Sequence, residues 1–176
     1  GPDDYAAITW NDAPHGRSIA LGWMNNWLYA DRLPTMPWKG QMTLPREQVL
    51  RQTAQGLRLI NKPVPEINAM ILKTAATTEI WLAEVPMPLR DDAGYEVRLL
   101  TVGLGDTGVR IKLGSTCEVF VGVSDDRTEF TIDRRGPHAD PIARFDRITT
   151  APRRCPTAPV SMLILIDRCS VELFGD

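Results

Sequence analysis

The chain has 176 residues, and 20 Lys and Arg against 22 Asp and Glu leave a formal net charge of −2. Apolar residues at 43% and charged residues at 24% are ordinary globular usage, which excludes wholesale disorder. The near-neutral balance argues against nucleic acid or an anionic membrane as the main partner, and no apolar run approaches the roughly 20 residues of a membrane span.

Alternation of apolar residues at period two dominates, which is the signal of half-buried strands. It predicts strands at Tyr5–Trp10, Ser18–Met24, Gln41–Leu44, Gly56–Leu59, Glu79–Ala83, Glu96–Val102, Val109–Leu113, Glu118–Val123, Glu129–Asp133, Val160–Ile166 and Ser170–Phe174. Only Arg46–Gln55 suits even a short helix, and a strand there is at least as good. Turn formers separate the strands: Asn11 to Pro14, Asp91 to Gly94, Gly103 to Gly108 and Ser124 to Asp126. Many short strands with regular turns make the fold class all-β, a sandwich, barrel or propeller piece. Four of the five Trp fall in the first 38 residues, Trp10, Trp23, Trp27 and Trp38, and Trp81 stands alone afterwards. The Pro-bearing stretch from Leu57 to Pro65 marks a hand-over between two units, residues 1–55 and residues 56–176. There is no internal repeat.

Gly1-Pro2 runs almost directly into a strand, and the chain stops soon after the Ser170–Phe174 run. The expectation is a piece of something larger, with a sandwich lacking its last strand or strands. Cys117, Cys155 and Cys169 make an odd count at no zinc-ligand spacing. Cys117 and Cys169 are expected to act as small buried hydrophobes, a Cys155–Cys169 bridge being the alternative. His15 and His138 sit beside Gly or Pro in expected loops, and neither has a ligand-spaced partner.

The most informative segment runs from Ile19 to Glu47. Ile19, Leu21 and Trp23 share one face of a strand and Ala20, Gly22 and Met24 the other. Asn25-Asn26 breaks the strand, and Trp27, Tyr29 and Trp38 follow on a Pro-punctuated loop. Indole rings stack on the C–H face of a sugar while Asn and Arg bind its hydroxyls, so a carbohydrate fits this set. The plainer account is that these rings cap a core.

Asp3-Asp4-Tyr5-Ala6-Ala7, Gly22-Trp23-Met24-Asn25-Asn26-Trp27, Pro37-Trp38-Lys39-Gly40-Gln41-Met42 and Leu44-Pro45-Arg46-Glu47 occur in this order. Together they resemble the last propeller blade of glycoside hydrolase family 32, the β-fructofuranosidases, levanases and exo-inulinases. Gly56-Leu57-Arg58-Leu59 with Lys62 to Ile67 resembles the family's lead-in to its C-terminal β-sandwich. Ile166 to Phe174 resembles a strand near that sandwich's end, with Cys169 where Ser is more usual. The resemblance implies the last blade of a five-bladed β-propeller, then a two-sheet antiparallel sandwich. It further implies a parent that removes terminal fructosyl units from sucrose, inulin or levan with retention, without metal or organic cofactor, outside the cell.

Retention needs two carboxyl groups about 5–5.5 Å apart. The family draws them from a Trp-Met-Asn-Asp-Pro-Asn motif and a mid-chain Glu, with an Arg-Asp-Pro Asp as a third acid. None of the three is here: position 26 is Asn, and Arg90-Asp91-Asp92 lacks the Pro. Cys117-Glu118 and Glu84-Val85-Pro86 read as solvated sandwich residues. No catalytic residue is therefore assigned. The resemblance leaves a substrate-binding role for Trp23, Asp3, Tyr5, Asn25 and Trp27, and Trp27, Trp38 and Arg32 either touch outer sugar units or pack on the sandwich. A lone blade is expected to need the sandwich, a second copy or the missing N-terminal propeller as its partner. A fructan-binding or structural sandwich module is the second reading, and part of a fructosyltransferase the third.

Overall fold

A computed structural model describes residues 2–53, 56–70, 94–101, 107–113, 117–136, 142–145 and 147–176. The expected strand Glu79–Ala83 with Trp81, most of the turns at 91–94 and 103–108, and His138 lie outside the described residues. Twelve strands and three short 3-10 turns are present among the described residues, and no α-helix.

The first sheet holds β1 (Tyr5–Thr9), β2 (Ile19–Met24), β4 (Arg46–Thr53) and β5 (Gly56–Pro63) in that order, with β3 (Gln41–Met42) also on β2. All its pairings are antiparallel. The segment open to helix or strand is thus a strand, and its partner decides it: β4 pairs with β5 without slip from Arg46 opposite Pro63 to Thr53 opposite Gly56. Residues 55 and 56, where the hand-over is expected, lie between these two strands of one sheet.

The second and third sheets form a sandwich. One runs β10 (Ile148–Pro152), β9 (Glu129–Asp133), β8 (Cys117–Val123) and β7 (Gly108–Leu113). The other runs β12 (Ser170–Gly175), β11 (Val160–Asp167) and β6 (Tyr95–Thr101). Ile111 and Val121 of one meet Ile164 and Ile166 of the other, while Val123 and Phe130 meet Val160 and Met162. Val121, Val160 and Ile164 are fully buried, and burying such a side chain contributes about 1.5–3 kcal/mol. Period two is lost in β11, where Leu163 and Leu165 interrupt the Met162, Ile164 and Ile166 series. The reason is cover on both faces: Leu165 pairs with Glu172 on the side turned to the first sheet, and it too is buried.

β10 has no clear counterpart among the expected strands. Among the described residues it is an edge strand paired only with β9, largely exposed, and its Pro152 is tolerated at the end of an edge. The β8–β9 turn obeys its composition. Asp126 accepts from the Ser124 and Thr128 hydroxyls and the Thr128 N–H. Those three bonds, the Ser124 hydroxyl foremost, hold its carboxyl down to about 2.

Cys169 corrects an expectation. It lies exposed in the β11–β12 turn, where its Sγ donates to Gln41 Oε1 at 2.8 Å, and both Cys155 and Cys169 are free thiols. The cause is local: Arg168-Cys169 is the two-residue turn itself, not part of either strand. The Cys155 thiol is pulled below its usual range by the Thr157 hydroxyl and the Ala158 N–H. Burial and then the Asp167 charge push the Cys169 thiol up. Thiolate is the reactive form, so Cys155 is expected to be alkylated by iodoacetamide severalfold faster at neutral pH. Peptide-resolved mass spectrometry reads the ratio, and equal or reversed rates would contradict the assignment.

Candidate functional site

Three aromatic rings meet on one face of the first sheet. Tyr5 of β1 stands directly opposite Trp23 of β2, which stands opposite Met42 of β3. An irregularity between Tyr5 and Ile8 absorbs one extra residue, with Ala6 at φ 50, so Ile8 returns to the same face opposite Leu21. Trp27, on the turn after β2, lies 5.1 Å from Trp23, and Tyr5 lies 6.3 Å from each of them, edge-on. Trp27 is 71% exposed and Tyr5 52%.

The cluster is held from behind by backbone. Trp23 Nε1 donates to Lys39 O at 3.0 Å, leaving the ring face as what Trp23 offers. Gly40 follows at φ +77, and a Cβ there would stand 2.6 Å from Asn25 Nδ2 and 2.7 Å from Trp23 Nε1. Only glycine meets both demands. Asn25 itself is 1% exposed and accepts from the Asn26 N–H at 2.8 Å. Its amide oxygen shapes the turn, while its amide nitrogen packs with Trp23 Nε1 against Gly40, behind the ring.

The opposite face of the sheet is turned to the sandwich, because β2 alternates. Gly22 lies there against the Asp4 carboxylate, which any Cβ would displace. Asp4 pairs with Arg46 at 3.0 Å, Arg46 pairs with Glu172 of β12 at 2.6 Å, and Glu172 accepts the Leu44 N–H at 2.7 Å. Glu172 is 6% exposed, so this charge is desolvated and paired, as a buried carboxylate must be. Asp3 pairs with Arg134 at 3.0 Å and accepts from the Tyr29 hydroxyl. A cleft of about 900 Å³ runs along this junction, with Met24, Gln41 and Trp38 on the blade side and Arg168 and Cys169 on the sandwich side.

The expected site residues therefore divide. Tyr5, Trp23 and Trp27 come together on the outer face, whereas Asp3 and Asn25 lie at its base, turned to the junction. Tyr29, expected with the loop aromatics, is buried against Phe145 at 5.4 Å and cannot meet a ligand. Trp38 and Arg32 are exposed on the loop. Glu118 is a surface residue paired with Arg110 at 2.8 Å. Arg46 and Glu172 stand inside motifs quoted from the sequence but with no role assigned to them, and no local signal marks Arg134, which is 131 residues from Asp3. Among the described residues, no group of three His, Cys, Asp or Glu side chains converges as metal ligands would.

Comparison with known proteins agrees with the order of the motifs. The model of the glycosyl hydrolases family 32 N-terminal domain matches residues 1–63, and that of the family 32 C terminal matches residues 69–176. A levanase from Bacillus subtilis is 30% identical across 100% of this chain, which covers 28% of that protein. An extracellular exo-inulinase from Aspergillus awamori is 25% identical across 99% of the chain and 34% of its own length. The crystal structure of exo-inulinase from Aspergillus awamori superimposes with a TM-score of 0.71 at 23% identity, over 100% of this chain and 36% of that one. The chain thus spans about a third of the length of the proteins it is similar to, with a propeller-blade sheet followed by a β-sandwich. With the two family models together matching all of it but residues 64–68, the chain belongs to glycosyl hydrolase family 32.

Proposed function

We propose that the chain is the C-terminal part of a retaining β-fructosidase acting on levan, inulin or sucrose, and that Trp23, Tyr5 and Trp27 form an aromatic wall of its fructose pocket. The observation that carries this reading is the ring cluster exposed on the blade face turned away from the sandwich. Such rings offer the flat apolar surface that a sugar's C–H face needs. Asp3 and Asn25 serve the wall indirectly, by holding the segments on which the rings stand.

The acids that cut the bond belong to the remainder of the propeller. Asp3 and Asp4, the carboxylates nearest the rings in sequence, are each paired to an arginine at the junction, and neither is free to attack carbon. The substrate is a fructose-containing oligo- or polysaccharide, the partner is the rest of the propeller, and the parent works outside the cell. Retention runs on carboxyl groups, so no cofactor is required.

Incubating the isolated chain with sucrose, inulin or levan is expected to release no fructose, whereas the complete protein releases it. Turnover by the isolated chain would overturn the division of roles. A complete protein that binds inulin oligosaccharides in a calorimeter but cleaves none of the three would establish the binding-module reading instead.

A further inference from the structure

Trp27 is the most exposed ring of the cluster, and the stretch that carries it is held at both ends from one place. Asn26 Nδ2 donates to Pro2 O at 2.9 Å, and the Tyr29 hydroxyl donates to Asp3 Oδ1. Residues 2 and 3 thus bracket Trp27 through its neighbours on either side. Asp3 Oδ2 in turn accepts from Arg134 Nη1 at 3.0 Å. The Arg134 guanidinium lies 4.2 Å over the Phe145 ring, and Phe145 meets Tyr29 edge-on at 5.4 Å. The contacts close a circuit, Asp3 to Arg134 to Phe145 to Tyr29 and back to Asp3, with two members from the blade and two from the sandwich. Arg134 follows β9 directly, and its own N–H donates to Arg147 O at 3.1 Å. Its side chain is 13% exposed and Tyr29 is 1% exposed, so the circuit is a desolvated joint and not a surface pair of little consequence.

We propose that Arg134 is a positioning residue for sugar recognition: from the sandwich it sets, through Asp3 and Tyr29, where Trp27 stands, and so governs contact with sugar units beyond the terminal fructose. The inference rests on the aromatic-wall reading above. Asp4 remains tied through Arg46 to Glu172 when Arg134 is altered, so β1 and the Tyr5–Trp23 pair keep their place while the Asn26–Tyr29 stretch loosens. The effect falls on extended substrates. Sucrose, which offers one further ring, is affected least.

The test uses the complete protein with two variants that keep their packing: Arg134→Lys, which keeps a charge but loses the planar fork, and Tyr29→Phe, which loses only the hydroxyl. For inulin oligosaccharides KM is expected to rise about threefold to tenfold, with kcat held within about twofold and the KM for sucrose unchanged, the pattern of lost binding shared by ground and transition states. The complete protein is also labelled with 5-fluorotryptophan, and the Trp27 ¹⁹F resonance is assigned by its loss in Trp27→Phe. That resonance is expected to shift in both variants, and that of Trp23, 5.1 Å from it, to follow to a smaller extent, while that of Trp10, assigned by its loss in Trp10→Phe, holds. An unmoved Trp27 resonance overturns the positioning, whatever the kinetics. A moved resonance with unchanged KM for every substrate keeps the joint but overturns its role in sugar recognition, and the aromatic-wall reading of Trp27 fails with it. Equal loss on sucrose and on oligosaccharides also overturns the proposal.

Discussion

Arg153→Ala is expected to destabilise the sandwich by about 3–5 kcal/mol, the usual consequence of removing one partner of a buried ion pair. The side chain has no solvent exposure, and its Nε donates to Asp176 Oδ2 at 3.0 Å. Its two terminal nitrogens donate to the carbonyls of Arg127, Pro156, Ala158 and Pro159 at 3.2–3.4 Å, and its cation lies 5.6 Å over Phe130. One planar fork thus gathers the β8–β9 turn, the loop between β10 and β11, and the carboxylate after β12. Removing it strands a carboxylate and leaves the carbonyls without the donor that satisfied them, and each such group costs its full desolvation. A lysine supplies three donors from one point and cannot reach all of these directions. Arg17→Ala is the control: its pair with Glu66 at 2.6 Å is shorter than the 3.0 Å of Arg153 to Asp176, but Glu66 is 60% exposed. Urea unfolding reads both variants. An Arg153→Ala midpoint no lower than that of Arg17→Ala would remove the hub from the account of sandwich stability.

Trp23→Ala is expected to lower kcat/KM of the complete protein about 30-fold to 150-fold, from the loss of about 2–3 kcal/mol of ring contact. Trp23 is central to the cluster, in contact with both Tyr5 and Trp27, and its N–H secures the loop carbonyl of Lys39. Its removal takes away its own face and the support for the other two rings together. Trp23→Phe keeps an apolar face but loses the bond to Lys39, and an intermediate loss is expected. The checks are fructose release from sucrose and inulin, with thermal melting to establish that the variants remain folded. Retention of kcat/KM within about threefold in Trp23→Ala would show that no sugar leans on this ring.

Arg134 and Trp23 illustrate how differently two kinds of residue announce themselves. The place of Trp23 on the sheet was legible because it belongs to a strand whose alternation assigns faces from neighbours one and two residues away, and because its motif is contiguous. The same local logic recovered β2, β9, β11 and β12 nearly to the residue. It failed where the deciding contact was not local. Arg46–Gln55 carries no strong periodicity, and its strand state follows from an in-register partner supplied by β5. β10 lacks apolar alternation because an edge strand buries little on either face. Cys169 looked like strand core in a β-rich run, but a tight hairpin has to place someone at its turn.

What the sequence determined by itself was the all-β class and the family, because both rest on patterns a few residues long. Tertiary structure alone decided which face of the first sheet meets the sandwich and what the adjacent acids Asp3 and Asp4 do. Their partners arrive from strands more than 100 residues away or through Arg46. Twenty basic side chains are available to twenty-two acidic ones, and charge has no periodicity that picks a partner. The choice is made only when the sandwich closes against the blade, where a carboxylate shut off from water must find its guanidinium or go unpaired.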